Sequence, residues 1–431
     1  MRNRLYEVGE CMGLENNEDF KPKLIQDIEI KFLKKDERGN FYIIKSHRKP
    51  SFLKVHEVGM EIIKMLDGST TVREIKRFLS SKGLEVDLCK FISVLGEEGF
   101  LENYTYHKNY RLREEFRIHR FPLIKNPEKV LAKIHVFFSP FFKKILFYPF
   151  LVVNVIISVL FFIYCQLRSF ELAEFLMING STWSAFALYF FIIIPFLGLI
   201  HEFAHSLACY SFGRKPGEIG LAIYFFAPTF YSDTSDAWMI DKSKRIIVFI
   251  AGPLVTLFIG NLCFLFYFIF QSKLLLMITF GSYLSVLFSF SPFVETDGYY
   301  ILEALLSFPN LYSHMLKYAS SWLKHKFGFL PESEYEEFLS SYSKGERKIL
   351  AIYMPISLIM SCILLGVSIQ WSVFLLNEFY QLTLAIFTGH LQTSTFIIWV
   401  SEGIFVFFIL VYLISKISSI TKKGHLHSFI N

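Results

Sequence analysis

His201 and His205 stand four residues apart in His201-Glu202-Phe203-Ala204-His205. On a helix that spacing turns both imidazoles to one face, where their ring nitrogens can ligate one tetrahedral zinc ion. Glu202, next to the first histidine, is placed to take a proton from an attacking water. The chemistry open to such a set is metal-assisted hydrolysis. The motif closes an apolar run, Ser184 to Ile200. Ionisable side chains are costly in a bilayer and mark functional sites there. The competing explanation is a pair of metal-free, bundle-facing histidines, and the scarcity of His and Glu in apolar segments argues against it.

Catalytic zinc keeps three protein ligands and one open position, so a third ligand is required. A second apolar run, Leu274 to Phe290, leads into Ser291-Pro292-Phe293-Val294-Glu295-Thr296-Asp297-Gly298-Tyr299-Tyr300. Pro292 breaks the incoming helix, and Gly298 lets the backbone turn beside a carboxylate. Asp297 is the first candidate and Glu295 the second. The structural alternative for Asp297 is to cap a helix starting near Tyr299.

These motifs, in order, resemble the site-2 protease-like membrane zinc metalloproteases, in the branch called peptide zinc metalloproteases. The resemblance rests on His201–His205, on Gly213-Arg214-Lys215 with Glu218-Ile219-Gly220, and on Pro228 to Trp238 (PTFYSDTSDAW). It continues through Ala251-Gly252-Pro253 and the Pro292…Asp297-Gly298-Tyr299-Tyr300 block, covering residues 184–306. It implies that His201, His205 and Asp297 bind zinc and that Glu202 is the catalytic acid and base, and so favours Asp297 over Glu295. Two positions depart from the family pattern: Ser291 stands where Asn is common before Pro292, and Thr256 where Asn is common after Ala-Gly-Pro. The oxyanion role is thereby unassigned. Ser291 and Thr256 can each donate a hydrogen bond to substrate or transition state.

The elements around these residues read as membrane helices. Hydrophobic residues make up 53% of the chain, including 50 Phe, and six runs approach the roughly 20 residues that cross a bilayer core. They are Ile145–Cys165, Ser184–Tyr210, Ile246–Phe270, Leu274–Pro292, Ile349–Ile369 and Phe396–Ile417. The less uniform Trp371–Leu391 reads as an amphipathic segment outside the cytoplasm. Lys and Arg favour the cytoplasmic side. They concentrate before the first span (Lys143, Lys144), after the histidine helix (Arg214, Lys215, Lys242, Lys244, Arg245), between Lys317 and Lys348, and at the C-terminus. The expectation is a multi-pass protein of the cell membrane, with both termini cytoplasmic and the metal site towards the cytoplasmic ends of its helices. Glu402, in the last run, reads as solvated near the outer end. The first 40 residues show no cleavable signal peptide. The six cysteines lack CxxC spacing and read as reduced and structural.

Residues 1–105 read as a separate α+β domain. Short strands are expected at Ile28–Phe32, Phe41–Ile44 and Ser51–Lys54, and helices at Val55–Leu66, Val72–Ser81 and Asp87–Glu97, from apolar residues at helical spacing. The order of elements and the Leu66-Asp67-Gly68…Thr71 feature resemble the winged-helix PqqD-like domain. That resemblance implies a cytosolic module gripping the leader of a ribosomally made precursor peptide by adding it to a sheet edge. Acidic residues such as Asp87, Glu97 and Glu98 interleave with the basic ones, which argues against nucleic acid. Residues 106–144 read as a basic, aromatic linker along the inner leaflet, residues 145–417 as the protease domain, and residues 418–431 as a cytoplasmic tail. Within the protease domain, Gly217 to Trp238 is strand-like and interrupted by Pro228. It is expected to form a hairpin beside the zinc that either presents an edge to an extended substrate, with Tyr224 as a third candidate contact, or closes the bundle.

The fold class expected is therefore a polytopic α-helical membrane protein of six spans with an N-terminal α+β winged-helix-like domain. The function expected is peptide-bond hydrolysis with Zn2+, maturing a precursor peptide beside a peptide-modifying enzyme and an exporter. One alternative is an intramembrane protease releasing a membrane-tethered regulator. Another is a non-catalytic subunit for peptide export or self-protection.

Overall fold

The computed structural model describes residues 18–47, 51–84, 86–104, 120–168, 192–224 and 227–388. The chain divides into two compact units. One holds residues 1–117, 238–241 and 303–354, and the other holds 118–237, 242–302 and 355–431.

The first unit opens with an antiparallel sheet of β1 (Ile28–Asp36), β2 (Gly39–Ser46) and β3 (Ser51–His56), in that order. Three helices follow: α1 (Glu57–Met65), α2 (Val72–Ser81) and α3 (Leu88–Glu97). The strand period of two sorts the side chains. Ile44 and Val55 pack on Ile62, Ile75, Ile92 and Leu95 of the helices. Ile43 and Phe52 turn the other way and are buried with Trp238 and Met239. Asp67 closes the turn before α2 by accepting hydrogen bonds from Ser69 and Thr70, while Gly68 takes a φ of +83°. Thr71 and Glu74 form a reciprocal capping box, an arrangement worth about 1 kcal/mol.

The second unit begins inside the stretch whose composition reads as a linker. Residues 120–142 instead form β4 (Arg120–Ile124), α4 (Glu128–Phe138) and a 3-10 turn, Ser139–Phe142. Then come α5 (Lys144–Leu167) and α6 (Ile194–Ser211). The expected hairpin is present as β5 (Ile219–Tyr224) and β6 (Ala227–Ser232), and β4 adds to its other side, giving the order β4-β5-β6. A 3-10 turn, Ser235–Met239, leads to α7 (Lys242–Phe270), α8 (Lys273–Ser289) and α9 (Asp297–Leu306).

Among the described residues two helices, α5 and α7, are long and apolar enough to cross a membrane, and α8 is apolar but shorter. On α5, Val152, Val153, Val155 and Ile156 are exposed, while Phe147, Asn154 and Phe161 are buried. A polar cluster joins α5, α7 and α8. Asn261 donates to Asn154 Oδ1 at 2.8 Å and to Asn154 O at 2.9 Å, and it accepts from Ser158 at 3.1 Å and Tyr283 at 2.5 Å. The start of the second expected span and all of the sixth, with Glu402, lie outside the described residues, as does the tail.

The chain returns to the first unit through α10 (Leu311–Lys326), α11 (Glu332–Ser340) and the first turns of α12 (Lys344–Phe387). There Glu346, almost fully buried, meets Lys34 at 2.7 Å, Lys54 at 3.3 Å and Arg38. Burial alone would raise the Glu346 carboxyl, but Lys54 and Lys34 hold it down at about 2. The expected separate amphipathic segment Trp371–Leu391 instead continues α12 without a break as far as Phe387, and no Gly or Pro interrupts residues 371–387.

Candidate metal centre

The histidine motif lies in the middle of α6, where helical spacing brings the two rings together at a centroid distance of 4.8 Å. Both are nearly buried, His201 at 8% and His205 at 4% exposure, so each ring nitrogen must be satisfied inside the protein. The outer nitrogens are satisfied by α7. His205 Nδ1 lies 2.7 Å from the Val248 carbonyl, which can only accept, so Nδ1 carries the proton. His201 Nδ1 lies 3.0 Å from Thr256 Oγ1, whose own proton is given to the Gly252 carbonyl at 3.2 Å. That ring too donates from Nδ1. With Nδ1 engaged in this way, both histidines turn Nε2 to the same space, which leaves that nitrogen to ligate a metal.

Asp297 faces them from the first turn of α9. Its Oδ2 lies 3.0 Å from His201 Nε2 and its Oδ1 3.0 Å from His205 Nε2. Gly298 is required because a Cβ there would meet the Phe290 carbonyl oxygen at 2.3 Å. Thr296 holds the same loop by donating to the Ser291 carbonyl at 2.7 Å.

Three observations fit a zinc ion. The potential ligand atoms of His201, His205 and Asp297 all lie within 4.8 Å of one another. Ligands of one tetrahedral zinc sit about 3.3 Å apart. His205 Nε2 is buried and, despite its nearness to Asp297, has no hydrogen-bond partner. Gly252 leaves the space open, since a Cβ there would lie 2.2 Å from His205 Nε2 and 2.6 Å from His201 Nε2. Two imidazoles and a carboxylate are the donor set of a catalytic zinc with one position to spare.

Glu202 stands beside this space, and its Oε2 accepts from the Ser232 hydroxyl at 2.7 Å. The structure thus brings together His201, His205, Asp297 and Glu202, but not Glu295, which is exposed. Thr256 is at the site in a different role from the one expected. It is buried and engaged with His201, which leaves its hydroxyl no proton for an oxyanion. Ser291 contributes its carbonyl to the loop. The backbone of Tyr224 pairs with Ala227 at the hairpin turn, and its side chain lies outside the described residues. Ser232 lies within the Pro228–Trp238 motif, but its contact with Glu202 is not deducible from its position, and the Val248 carbonyl carries no sequence signal. Gly252 does, as a glycine in an apolar helical run, though its neighbours are not deducible from position.

The Asp233–Trp238 stretch has a structural job. Arg214 makes two parallel bonds to Asp236, both 2.9 Å, and the Lys215 N–H adds a third at 3.1 Å. This ties the segment after β6 to the end of α6.

A curated Bacillus subtilis (strain 168) protein named "Putative peptide zinc metalloprotease protein YydH" is 29% identical to the chain over 127 residues. The match covers 29% of this chain and 49% of that protein, so the chain spans about half the length of the curated relative it matches. No family model matches the chain. No solved structure matches it.

Proposed function

We propose that the chain is a membrane zinc metalloprotease that cuts a ribosomally made precursor peptide near the inner face of the membrane. The observation that carries this reading is the convergence of His201, His205 and Asp297, with both histidines bonded through Nδ1 and both Nε2 atoms turned towards the Asp297 carboxylate. Similarity to a protein named as a peptide zinc metalloprotease supports it. His201, His205 and Asp297 would hold the ion, which when bound supplies Lewis acidity for amide hydrolysis. Glu202 takes the proton of the attacking water and returns it to the leaving amine. Substrate enters as an extended strand. β6 is one edge of its sheet, and Phe230 packs against Gly198 of α6, one turn before the motif. An added strand there would run along the helix that carries Glu202.

The six-span topology with cytoplasmic termini belongs to the same proposal, and α5 and α7 support it. Recognition of the peptide leader by a PqqD-like N-terminal domain belongs to it too, and the strand-then-helix order β1-β2-β3-α1-α2-α3 supports that reading. A modifying enzyme and an exporter are the expected partners.

The decisive experiment is zinc stoichiometry by elemental analysis of the purified full-length protein, beside H201A, D297N and E202Q. The expected result is one zinc per chain, lost in the first two variants and kept in E202Q, with peptide cleavage lost in all three. Folded protein without zinc would overturn the proposal and favour a non-catalytic membrane subunit. Cleavage of the peptide with its leader removed, at an undiminished rate, would favour release of a membrane-tethered regulator instead.

A further inference from the structure

Ser232 is the last residue of β6, and its hydroxyl meets Glu202 Oε2. A glutamate has three rotatable side-chain bonds, and a general base must keep one oxygen free and aimed at the proton it accepts. A donor on the other oxygen fixes that aim. The donor here is itself held on both sides. Ser232 pairs with Ile219 across the hairpin. The next residue continues the tie, with Gly217 N–H donating to the Asp233 carbonyl at 2.7 Å and Asp233 N–H to the Glu218 carbonyl at 2.9 Å. Asp233 Oδ1 accepts from Ser235 N–H at 3.1 Å. Gly217 gives it room, since a Cβ there would meet Asp233 Oδ2 at 2.6 Å. Asp236 then returns the chain to Arg214, which follows Gly213, at φ +76°, just past the end of α6. The segment after the hairpin is a bracket anchored to the helix that bears Glu202.

We infer that Ser232 is a positioning residue. It pins one carboxylate oxygen of Glu202 so that the other faces the reacting water, and the Asp233–Asp236 bracket fixes Ser232 in place. This deepens the protease reading and rests on it. It also gives the edge strand a second task, because the strand proposed to bind substrate is the one that aims the base.

The test uses the full-length protein as wild type, S232A, S232T and E202Q. Zinc content is measured together with the affinity for acetohydroxamate, which chelates an active-site zinc and donates a hydrogen bond to a neighbouring carboxylate. Turnover of quenched-fluorescent casein is followed in parallel. The expected result is full zinc content in S232A, acetohydroxamate binding weakened about tenfold and kcat reduced by a similar factor with KM within about twofold. S232T, which keeps the hydroxyl, should return both values to near wild type, as a purely steric role would not. Wild-type binding and turnover in S232A, or no rescue by S232T, would overturn the inference while the loss in E202Q left the protease reading standing. If E202Q itself binds acetohydroxamate and cleaves casein like wild type, the protease reading fails and the role of Ser232 falls with it.

Discussion

Gly252 offers a test of the proposed metal site at a single atom. Alanine is favoured over glycine inside a helix by roughly 0.5–1 kcal/mol, so G252A should keep α7 helical. Its methyl, however, would lie 2.2 Å from His205 Nε2 and fill the space an ion needs. The expected outcome is an unchanged far-ultraviolet circular dichroism spectrum with zinc affinity lowered more than tenfold. Retention of one zinc would show that the ion sits elsewhere. Thr256 tests the outer contacts. T256V removes the group that accepts from His201 Nδ1, and loss of such an outer partner typically weakens metal binding 10–100-fold. T256S should restore it, both measured by competition with a chromogenic chelator. At this scale the sequence is half legible. Two histidines at helical spacing and an Asp-Gly after a helix break mark residues that the structure brings together, because local geometry alone sets how they are presented. Thr256 misleads, because its partner is chosen by how α7 crosses α6, and nothing local to Thr256 encodes that.

The short elements of the first unit follow from local chemistry. The expected helix Val72–Ser81 matches α2 residue for residue, since Thr71 and Glu74 start it and apolar spacing carries it. β4 was hidden for the opposite reason. It is five residues with a central Pro122, and it becomes a strand only because β5 offers a partner. The packing of α5, α7 and α8 likewise depends on a residue whose periodicity says nothing. Asn261 is buried at 1% exposure and joins the three helices. N261L would leave Asn154, Ser158 and Tyr283 without this partner. Interhelical hydrogen bonds in membranes average about 0.6 kcal/mol, and an unpaired buried polar group costs about 1–3 kcal/mol. The expected loss is about 2 kcal/mol, seen as a lower thermal midpoint in detergent with zinc content intact at low temperature. An unchanged midpoint would mean that apolar packing alone holds these helices.

At the scale of the whole chain, the least legible feature is that residues 303–354 fold with residues 1–117. Basic residues between Lys317 and Lys348 read equally well as a topology signal, and only the fold shows that Glu346 is the counter-charge of Lys34, Lys54 and Arg38. Phe308 lies beneath two of these cations, with Lys34 Nζ 5.6 Å and Lys54 Nζ 5.3 Å from its ring centre. This arrangement makes the first unit sensitive to acid in two stages. His314, bonded to Tyr342 at 3.0 Å, is pushed down to about 4, by burial first and then by Lys54 and Lys317. Its folded value lies below its unfolded one, so between pH 6.5 and about 4 the unfolded chain binds the proton and stability falls as pH falls. The full shift corresponds to roughly 3 kcal/mol, an upper figure. Glu346 is also depressed, from 4.5 to about 2, so its contribution is complete above pH 4.5 and is lost on further acidification towards pH 2. Unfolding midpoints in urea, followed across this range, should therefore decline first near pH 6.5 and again below pH 4.5. H314Q should remove the first decline, because glutamine takes up no proton. E346Q should remove the second and lower stability at pH 7, since a buried neutral group would then face three cations. A single decline confined to pH below 4.5 in the wild type would mean that His314 is not held neutral by its surroundings.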